Sequence, residues 1–220
     1  MSAAVAIFVK TPALSRVKTR LAAGIGSNSA VRFHQLSAAA VAAVARAACA
    51  RAPGLHPLWA VAEAAAADGH WPQFECLVQG AGPLGTRLAR VEQALAQRHA
   101  RWLFVGADAP QMTATDLLAA LDALEREDFV LGPCPDGGFW LYGARRALAP
   151  ADWESVPWSQ PDTARRLRER LSVQGRVAGL CSLRDVDTAA DLAPLAQDLR
   201  ALPAPLPEQV ELLQWLDAVA

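Results

Sequence analysis

Apolar residues follow two rhythms along this chain. Short unbroken runs bounded by charges or breakers read as strands buried on both faces. The clearest is Trp102-Leu103-Phe104-Val105-Gly106, followed by Ala107-Asp108-Ala109-Pro110. Pro110 has no N–H for a ladder, so the strand ends before it and leaves Asp108 at its carboxyl edge. Residues 4–9 form a second such run, and shorter ones cover 57–62, 74–78, 129–132 and 139–143, with extended pieces at 177–180 and 182–186. Between them apolar residues recur at helical spacing: Phe33, Leu36, Ala40, Val41, Val44 and Ala48; Leu88, Val91 and Leu95; and Leu117, Leu118, Leu121 and Leu124. Thr113-Ala114-Thr115-Asp116 has the form of a capping box before the last of these. Ser159 and Pro161 open a helix whose Arg165, Arg166, Arg168 and Arg170 read as a solvated face. Strands alternating with helices predict an α/β fold around a mostly parallel sheet sandwiched by helices.

The chain has 220 residues, enough for one sizeable domain over about 1–200. Pro203, Pro205 and Pro207 then read as a stiff linker to an amphipathic helix with Val210, Leu213, Trp215 and Leu216, packed on the domain or on a partner. The 21 basic and 22 acidic residues leave a net charge of −1, which gives no electrostatic footprint for nucleic acid or an anionic membrane. Any phosphate binding must be local. The Ala-rich run from Ala38 to Ala50 is broken by Arg46 and reads as a packed helix rather than a membrane span, and no basic leader precedes the first strand. The expectation is a cytoplasmic protein. Cys49, Cys76, Cys134 and Cys181 stand singly, without metal-type spacing, as small core hydrophobes of a reducing compartment, neither disulfide nor zinc site.

Candidate chemistry gathers where strands end. From Lys10 to Arg20 the chain holds Lys10, Arg16, Lys18 and Arg20 and no acid: either a solvated basic loop or a cradle for a di- or triphosphate. Gly24, Gly26 and Ser27-Asn28-Ser29 punctuate the chain before the first long helix. Asp68-Gly69-His70 marks a polar loop. Gln79-Gly80-Ala81-Gly82-Pro83-Leu84-Gly85-Thr86-Arg87 combines glycines, an amide and a guanidinium at a strand end; it fits no dinucleotide fingerprint and reads as a turn or as a base or phosphate contact. Asp136-Gly137-Gly138 is turn chemistry or an acid held in a cleft. Asp185 and Asp187, two residues apart in an extended segment, project to one side with Cα atoms about 6.5–7 Å apart, within reach of one cation, while Thr188 and Asp191 suit a helix cap. Asp108 and Asp187 are each open to the plainer reading of a helix cap.

In this order and at these separations, Ile7-Phe8-Val9-Lys10-Thr11-Pro12, Val17-Lys18-Thr19-Arg20-Leu21, Gln79-Gly80 with Leu84-Gly85 and Arg87, Gly106 with Asp108 and Pro110, Leu131-Gly132-Pro133, Asp136-Gly137-Gly138, Pro157-Trp158-Ser159 and Leu183-Arg184-Asp185-Val186-Asp187-Thr188 resemble a bacterial family. It is the DUF2064 group of provisionally described nucleotide-diphospho-sugar transferases, related to glycosyltransferases proposed for arsenosugar biosynthesis and more distantly to 2-phospholactate guanylyltransferase. The resemblance covers about residues 5–195 and implies a GT-A type nucleotide-diphospho-sugar transferase fold.

It also implies roles. Asp108, Asp185 and Asp187 would hold Mg²⁺ or Mn²⁺ against a nucleotide diphosphate; Lys10, Lys18 and Arg20 would neutralise phosphates, with Lys18 and Arg20 stabilising the leaving group; Gln79 and Gly80 would line the base pocket, with Arg87 and Gly106 also on the nucleotide. Asp136 would serve as general base toward an acceptor, with Gly137, Gly138, Trp158 and Ser159 on that side. The family pattern has Pro-Gly where this chain has Leu14-Ser15, Glu at Pro135 and Tyr at Phe139, so the acceptor side loses a carboxylate and a hydroxyl. The implied activity is metal-dependent transfer of a sugar from a nucleotide-sugar to a small acceptor. The alternatives are nucleotidyl transfer with release of pyrophosphate, and a catalytically silent nucleotide-binding protein.

Overall fold

A computed structural model describes residues 2–67 and 69–219, so Asp68 of the polar loop lies outside the described residues. Seven strands form one sheet: β1 (Ala3–Val9), β2 (Leu55–Val61), β3 (Glu75–Val78), β4 (Arg101–Gly106), β5 (Phe129–Pro133), β6 (Phe139–Ala144) and β7 (Val177–Gly179), in the order β3-β2-β1-β4-β6-β5-β7. Every neighbouring pair is parallel except β4–β6 and β5–β6, so β6 alone runs against the rest. Pro57 is tolerated in β2 because β3 pairs only from Leu58 onward.

Both faces of the sheet are covered, which is why its strands read as continuous apolar runs. Val5, Ile7, Val9, Leu103 and Val105 point to a core shared with α2 (Ser27–Arg51) and α4 (Ala114–Ala123). Ala4, Ala6, Trp102 and Phe104 point to the other, shared with α3 (Leu84–Ala96), α5 (Pro150–Ser155) and α6 (Thr163–Gln174). α4 starts at the expected capping box, Thr113 and Asp116 exchanging side-chain-to-backbone bonds. α2 is long and apolar enough to cross a membrane by length and composition, but two thirds of that window is buried inside this domain.

A third core joins α1 (Thr19–Ile25) and α2 to α7 (Leu192–Arg200) and α8 (Pro207–Val219) through Leu21, Phe33, Leu36, Leu195, Leu199, Leu212 and Leu216. The terminal helix thus packs on α2 and α7 of its own chain. Its inward face is Gln209, Leu212 and Leu216, whereas Val210 is on the solvent side. Gln209 Nε2 donates to the carbonyls of Pro110 (2.8 Å) and Met112 (3.0 Å), and its Oε1 accepts from Leu206 N (2.9 Å).

The chain departs from its sequence reading in several places. The basic loop stops at Lys18, because α1 begins at Thr19. Gly24 lies inside that helix, where a Cβ would stand 2.7 Å from that of Ala189, so it is a packing glycine and not a break. α5 has no periodic signal in its six residues. Residues 182–186 form no strand; Leu180, Leu183 and Val186 each donate one N–H to Leu131, Pro133 and Asp108, laying the segment across the ends of β5 and β4. Cys181 is exposed rather than core.

Candidate functional site

The carboxyl ends of the parallel strands open on one cleft of about 860 Å³. Because β6 is antiparallel, the turn between β5 and β6 reaches this same edge. Lys10, Lys18, Arg20, Gln79, Arg87, Gly106, Asp108, Asp136, Gly138, Trp158, Ser159, Asp185 and Asp187 all line the cleft. Gly80 and Gly137 do not.

Three side chains fix the start of the basic loop. His34 Nε2 bonds to Lys10 O (2.8 Å), Glu63 Oε2 accepts from Thr11 N (2.9 Å), and Trp71 Nε1 donates to Thr11 Oγ1 (2.9 Å). Burial pushes the His34 imidazole below its usual range, so it is neutral and donates from Nε2. Burial opposes ionisation of Glu63, but bonds from Ser15 and Thr11 outweigh it and lower its pKa. Between the fixed ends Lys10 and Arg16 are exposed.

Lys18 closes the loop. It is the N-cap of α1 in left-handed backbone (φ 47°), its side chain is 6% exposed, and its Nζ lies 2.9 Å from Asp108 Oδ1 and 3.7 Å from Asp187 Oδ1 and donates to Val186 O. One hydrogen bond to Val186 O and an ion pair with Asp108, with Asp187 a little farther off, turn the Lys18 ammonium toward the carboxylates at the cleft wall. Arg20 Nη1 holds the other Asp187 oxygen at 3.0 Å. The cap of the following turn is not Asp187: Thr188 and Asp191 form that capping box.

Asp185 lies beside Asp136. Its carboxylate, that of Asp136 and the buried Cys134 thiol have ligand atoms within 4.8 Å of one another. Burial and the Asp136 charge push Asp185 up to about 6, and burial raises the Cys134 thiol far above its usual range. Asp108 and Asp187 thus stand against Lys18 and Asp185 beside Asp136, and all four carboxylates line the one cleft. Among the described residues no cation pairs with the carboxylates of Asp185 and Asp136, and Asp108 pairs with Lys18 through Oδ1; hard oxygens of this kind suit Mg²⁺ or Mn²⁺.

The Asp136 turn is docked tightly. Asp136 Oδ1 accepts from Gly138 N (2.8 Å), Gly137 O accepts from Ala164 N (2.8 Å), and a Cβ on Gly137 (φ 91°) would fall 1.7 Å from Pro161 O. Gly137 therefore lets the turn seat against the start of α6. On the β3 side, Gln79 is 3% exposed and its amide is engaged, Nε2 donating to Ala60 O (2.7 Å) and Oε1 accepting from Arg87 (3.1 Å). Gly80 makes room for Arg90, whose Nη1 donates to Gln79 O (2.6 Å) and Ala81 O (3.2 Å). These two residues brace the loop that carries Arg87.

Phe8, His34, Phe104, Gln160 and Thr163 also line the cleft and were missed in the sequence, where each reads as ordinary core or loop. Ser159, in left-handed backbone (φ 59°), bends the Trp158 loop toward it.

Among solved structures, a protein of Desulfovibrio desulfuricans G20 provisionally named a nucleotide-diphospho-sugar transferase is similar at 26% identity, with TM-score 0.84 over 100% of this chain and 97% of that one. The 4-diphosphocytidyl-2C-methyl-D-erythritol synthase of Anaerococcus prevotii shares the fold at 10% identity and TM-score 0.56, over 90% of this chain and 96% of its own. A CMP:2-keto-3-deoxy-manno-octonic acid synthetase complexed with CTP does so at 14% and 0.50, over 92% and 100%. The chain thus shares the fold of the provisionally named nucleotide-diphospho-sugar transferase and of this synthase and synthetase. No protein of curated function matches the chain. The family model described as an uncharacterized protein conserved in bacteria, DUF2064, matches residues 36–160, more than half of the length, and the chain belongs to that family.

Proposed function

We propose that this protein is a metal-dependent glycosyltransferase that binds a nucleotide-diphospho-sugar and passes the sugar to a small acceptor hydroxyl. One observation carries the reading: a basic loop, paired carboxylates and the Asp136 turn share a single cleft at the sheet's carboxyl edge. Lys10, Arg16 and Arg20, which line the cleft, would face the diphosphate, and Arg87 with the braced Gln79 loop the nucleoside. Gly106 leaves room for the phosphates, because nothing but Asp108 N lies within 4 Å of where its Cβ would be.

Asp108 and Asp185 would hold the cation, with Asp187 beside them. When bound, that cation supplies a Lewis acid against the developing charge of the departing diphosphate. The chain's own groups do the rest. Lys18 fixes the carboxylates of Asp108 and Asp187, Arg20 faces the diphosphate, and Asp136 accepts the proton of the attacking hydroxyl at the oxygen not bonded to Gly138. Ser159 bounds the acceptor side, and Trp158 beside it forms the wall against which the transferred sugar of the donor would lie.

Nucleotidyl transfer from a nucleoside triphosphate is the second reading, favoured by the synthase and synthetase folds among the neighbours. A thermal-shift panel of nucleoside triphosphates, nucleoside diphosphates and nucleotide-sugars, each with and without Mg²⁺ or Mn²⁺, separates the two. A ligand at about 100 times its dissociation constant adds about 2.7 kcal/mol, or about 5–10 °C for a domain of this size. A metal-dependent shift with one nucleotide-sugar and its diphosphate, lost in Asp108→Asn with the fold intact, is the expected result. A shift confined to a triphosphate selects nucleotidyl transfer, and equal binding by Asp108→Asn overturns the metal role.

A further inference from the structure

Glu92 is a fully buried carboxylate that no part of the proposed mechanism uses. It sits on α3 and has no cation within ion-pairing distance among the described residues, yet accepts four hydrogen bonds. Oε1 takes Trp102 Nε1 (3.1 Å) and Tyr142 OH (2.6 Å); Oε2 takes Leu148 N (2.9 Å) and Trp153 Nε1 (2.7 Å). The donors come from β4, β6, the segment before α5, and α5 itself. Burying a carboxylate without a counter-ion is expensive, and burial indeed raises its pKa. Four donors converging on two oxygens favour a group that accepts at both, which a glutamine cannot do: its amide nitrogen would face one donor pair with hydrogens of its own.

What this arrangement fixes lies one step further on. Trp153, held by Glu92 through its indole N–H, offers its carbonyl to Trp158 Nε1 at 3.1 Å, and the two indoles stack at 5.9 Å with an interplanar angle of 19°. Trp158 in turn lines the cleft and meets Phe139 at 6.3 Å. α3 touches the arrangement again at Gly85, seven residues before Glu92 and so on the same helix face. A Cβ there would stand 2.6 Å from Trp153 O and 2.8 Å from Trp158 Nε1. The same helix carries Leu84, Arg87 and Leu88 into the cleft.

We infer that Glu92 is the positioning residue that holds Trp158 as a fixed aromatic wall of the nucleotide-sugar cleft, acting through Trp153. This rests on the proposed function for the identity of the ligand, though not for the geometry. Glu92 itself touches no ligand.

The test uses the full chain labelled with 5-fluorotryptophan, whose seven tryptophans give separate ¹⁹F resonances, Trp158 being assigned by Trp158→Phe. Glu92→Gln is expected to broaden or shift the Trp153 and Trp158 resonances and leave Trp71 and Trp215 unmoved. Trp153→Phe removes the bond to Oε2 together with part of the indole that stacks on Trp158, and should move the Trp158 resonance in the same sense, which keeps the test open if Glu92→Gln does not fold. The second readout is affinity for UDP-glucose and GDP-glucose with MgCl₂: the sugar nucleotide that binds the parent should bind the Glu92 or Trp153 variant at least fivefold more weakly, and Glu92→Asp less so. An unmoved Trp158 resonance in the folded variants overturns the inference, as does a moved resonance with unchanged affinity. If neither sugar nucleotide binds the parent, the reading of the ligand fails, and the resonances alone decide whether Glu92 positions Trp158.

Discussion

Lys18 Nζ stands 2.9 Å from Asp108 Oδ1, and this contact ties the end of the basic loop to the end of the central strand. The ammonium is buried while both of its carboxylates are about two-fifths exposed, at 41% and 42%. Replacing it with Met leaves those carboxylates to water and to each other. Lys18→Met should lose about 1–2 kcal/mol in urea unfolding, less than a fully buried pair, because water compensates the exposed oxygens. With the competing cation gone from Asp108, Mg²⁺ should bind more tightly by titration calorimetry; weaker Mg²⁺ binding would contradict the placement of the ion.

Gly106 separates folding from binding. Its backbone φ is not in the left-handed region and a Cβ there meets open space, so Gly106→Ala should unfold within about 0.5–1 kcal/mol of the parent. The added methyl would project into the cleft where phosphates are placed. Nucleotide affinity should fall at least tenfold while the melting temperature of the free protein barely moves. Unchanged affinity would remove Gly106 from the binding surface.

Gln209 reaches from the terminal helix to the loop after Asp108. Gln209→Leu keeps the volume but leaves the carbonyls of Pro110 and Met112 and the N–H of Leu206 without this partner. A loss of about 2–4 kcal/mol in urea unfolding is expected. Hydrogen exchange should rise around residues 109–112 more than in the β2–β3 half, and uniform exchange across the sheet would show that the helix does not brace this loop.

The pH dependence of stability has a contributor in Asp128. Its carboxylate takes the Arg176 backbone N–H (3.0 Å) and two bonds from Arg145, and these hold its pKa below the usual range. A lowered pKa stabilises the fold above the unfolded value near 3.9, and that contribution is lost as pH falls through the lower folded value. Asp128→Asn should therefore be less stable than the parent at pH 7, with the gap closing below about pH 4. A gap that widens on acidification would reverse the assignment.

Much of this architecture is legible in sequence because the sheet is buried on both faces. Trp102 to Gly106 and residues 4–9 have no other way to satisfy so much apolar surface, and the capping boxes at Thr113 and Thr188 follow from local chemistry. What escapes is set by tertiary contacts. α1 starts just after Lys18 because a buried ammonium anchors its N-cap to residues far away in sequence, and nothing in Val17-Lys18-Thr19 announces that. Asp185 and Asp187 share an extended segment, yet the path of residues 180–187 over β5 and β4 turns one toward Asp136 and the other toward Lys18. Gln79 and Gly137 read as ligand contacts in a string of letters, and the structure adds partners within the chain for both, while Gln79 still lines the cleft. Glu92 leaves one trace: it falls on the same inward stripe as Leu88, Val91 and Leu95, where a charged residue needs a reason.

The reversal of β6 has an engineering consequence. The chain arrives at the cleft by β5 and leaves it by β6, so residues 134–138 form a self-contained hairpin tip whose two stems are paired to each other. Such a tip can be exchanged as a cassette: on the proposed function, recombining it between relatives, together with the Pro161 seat that Gly137 requires, would alter acceptor choice while the part of the cleft built from β1, β3 and β4 keeps its original contacts.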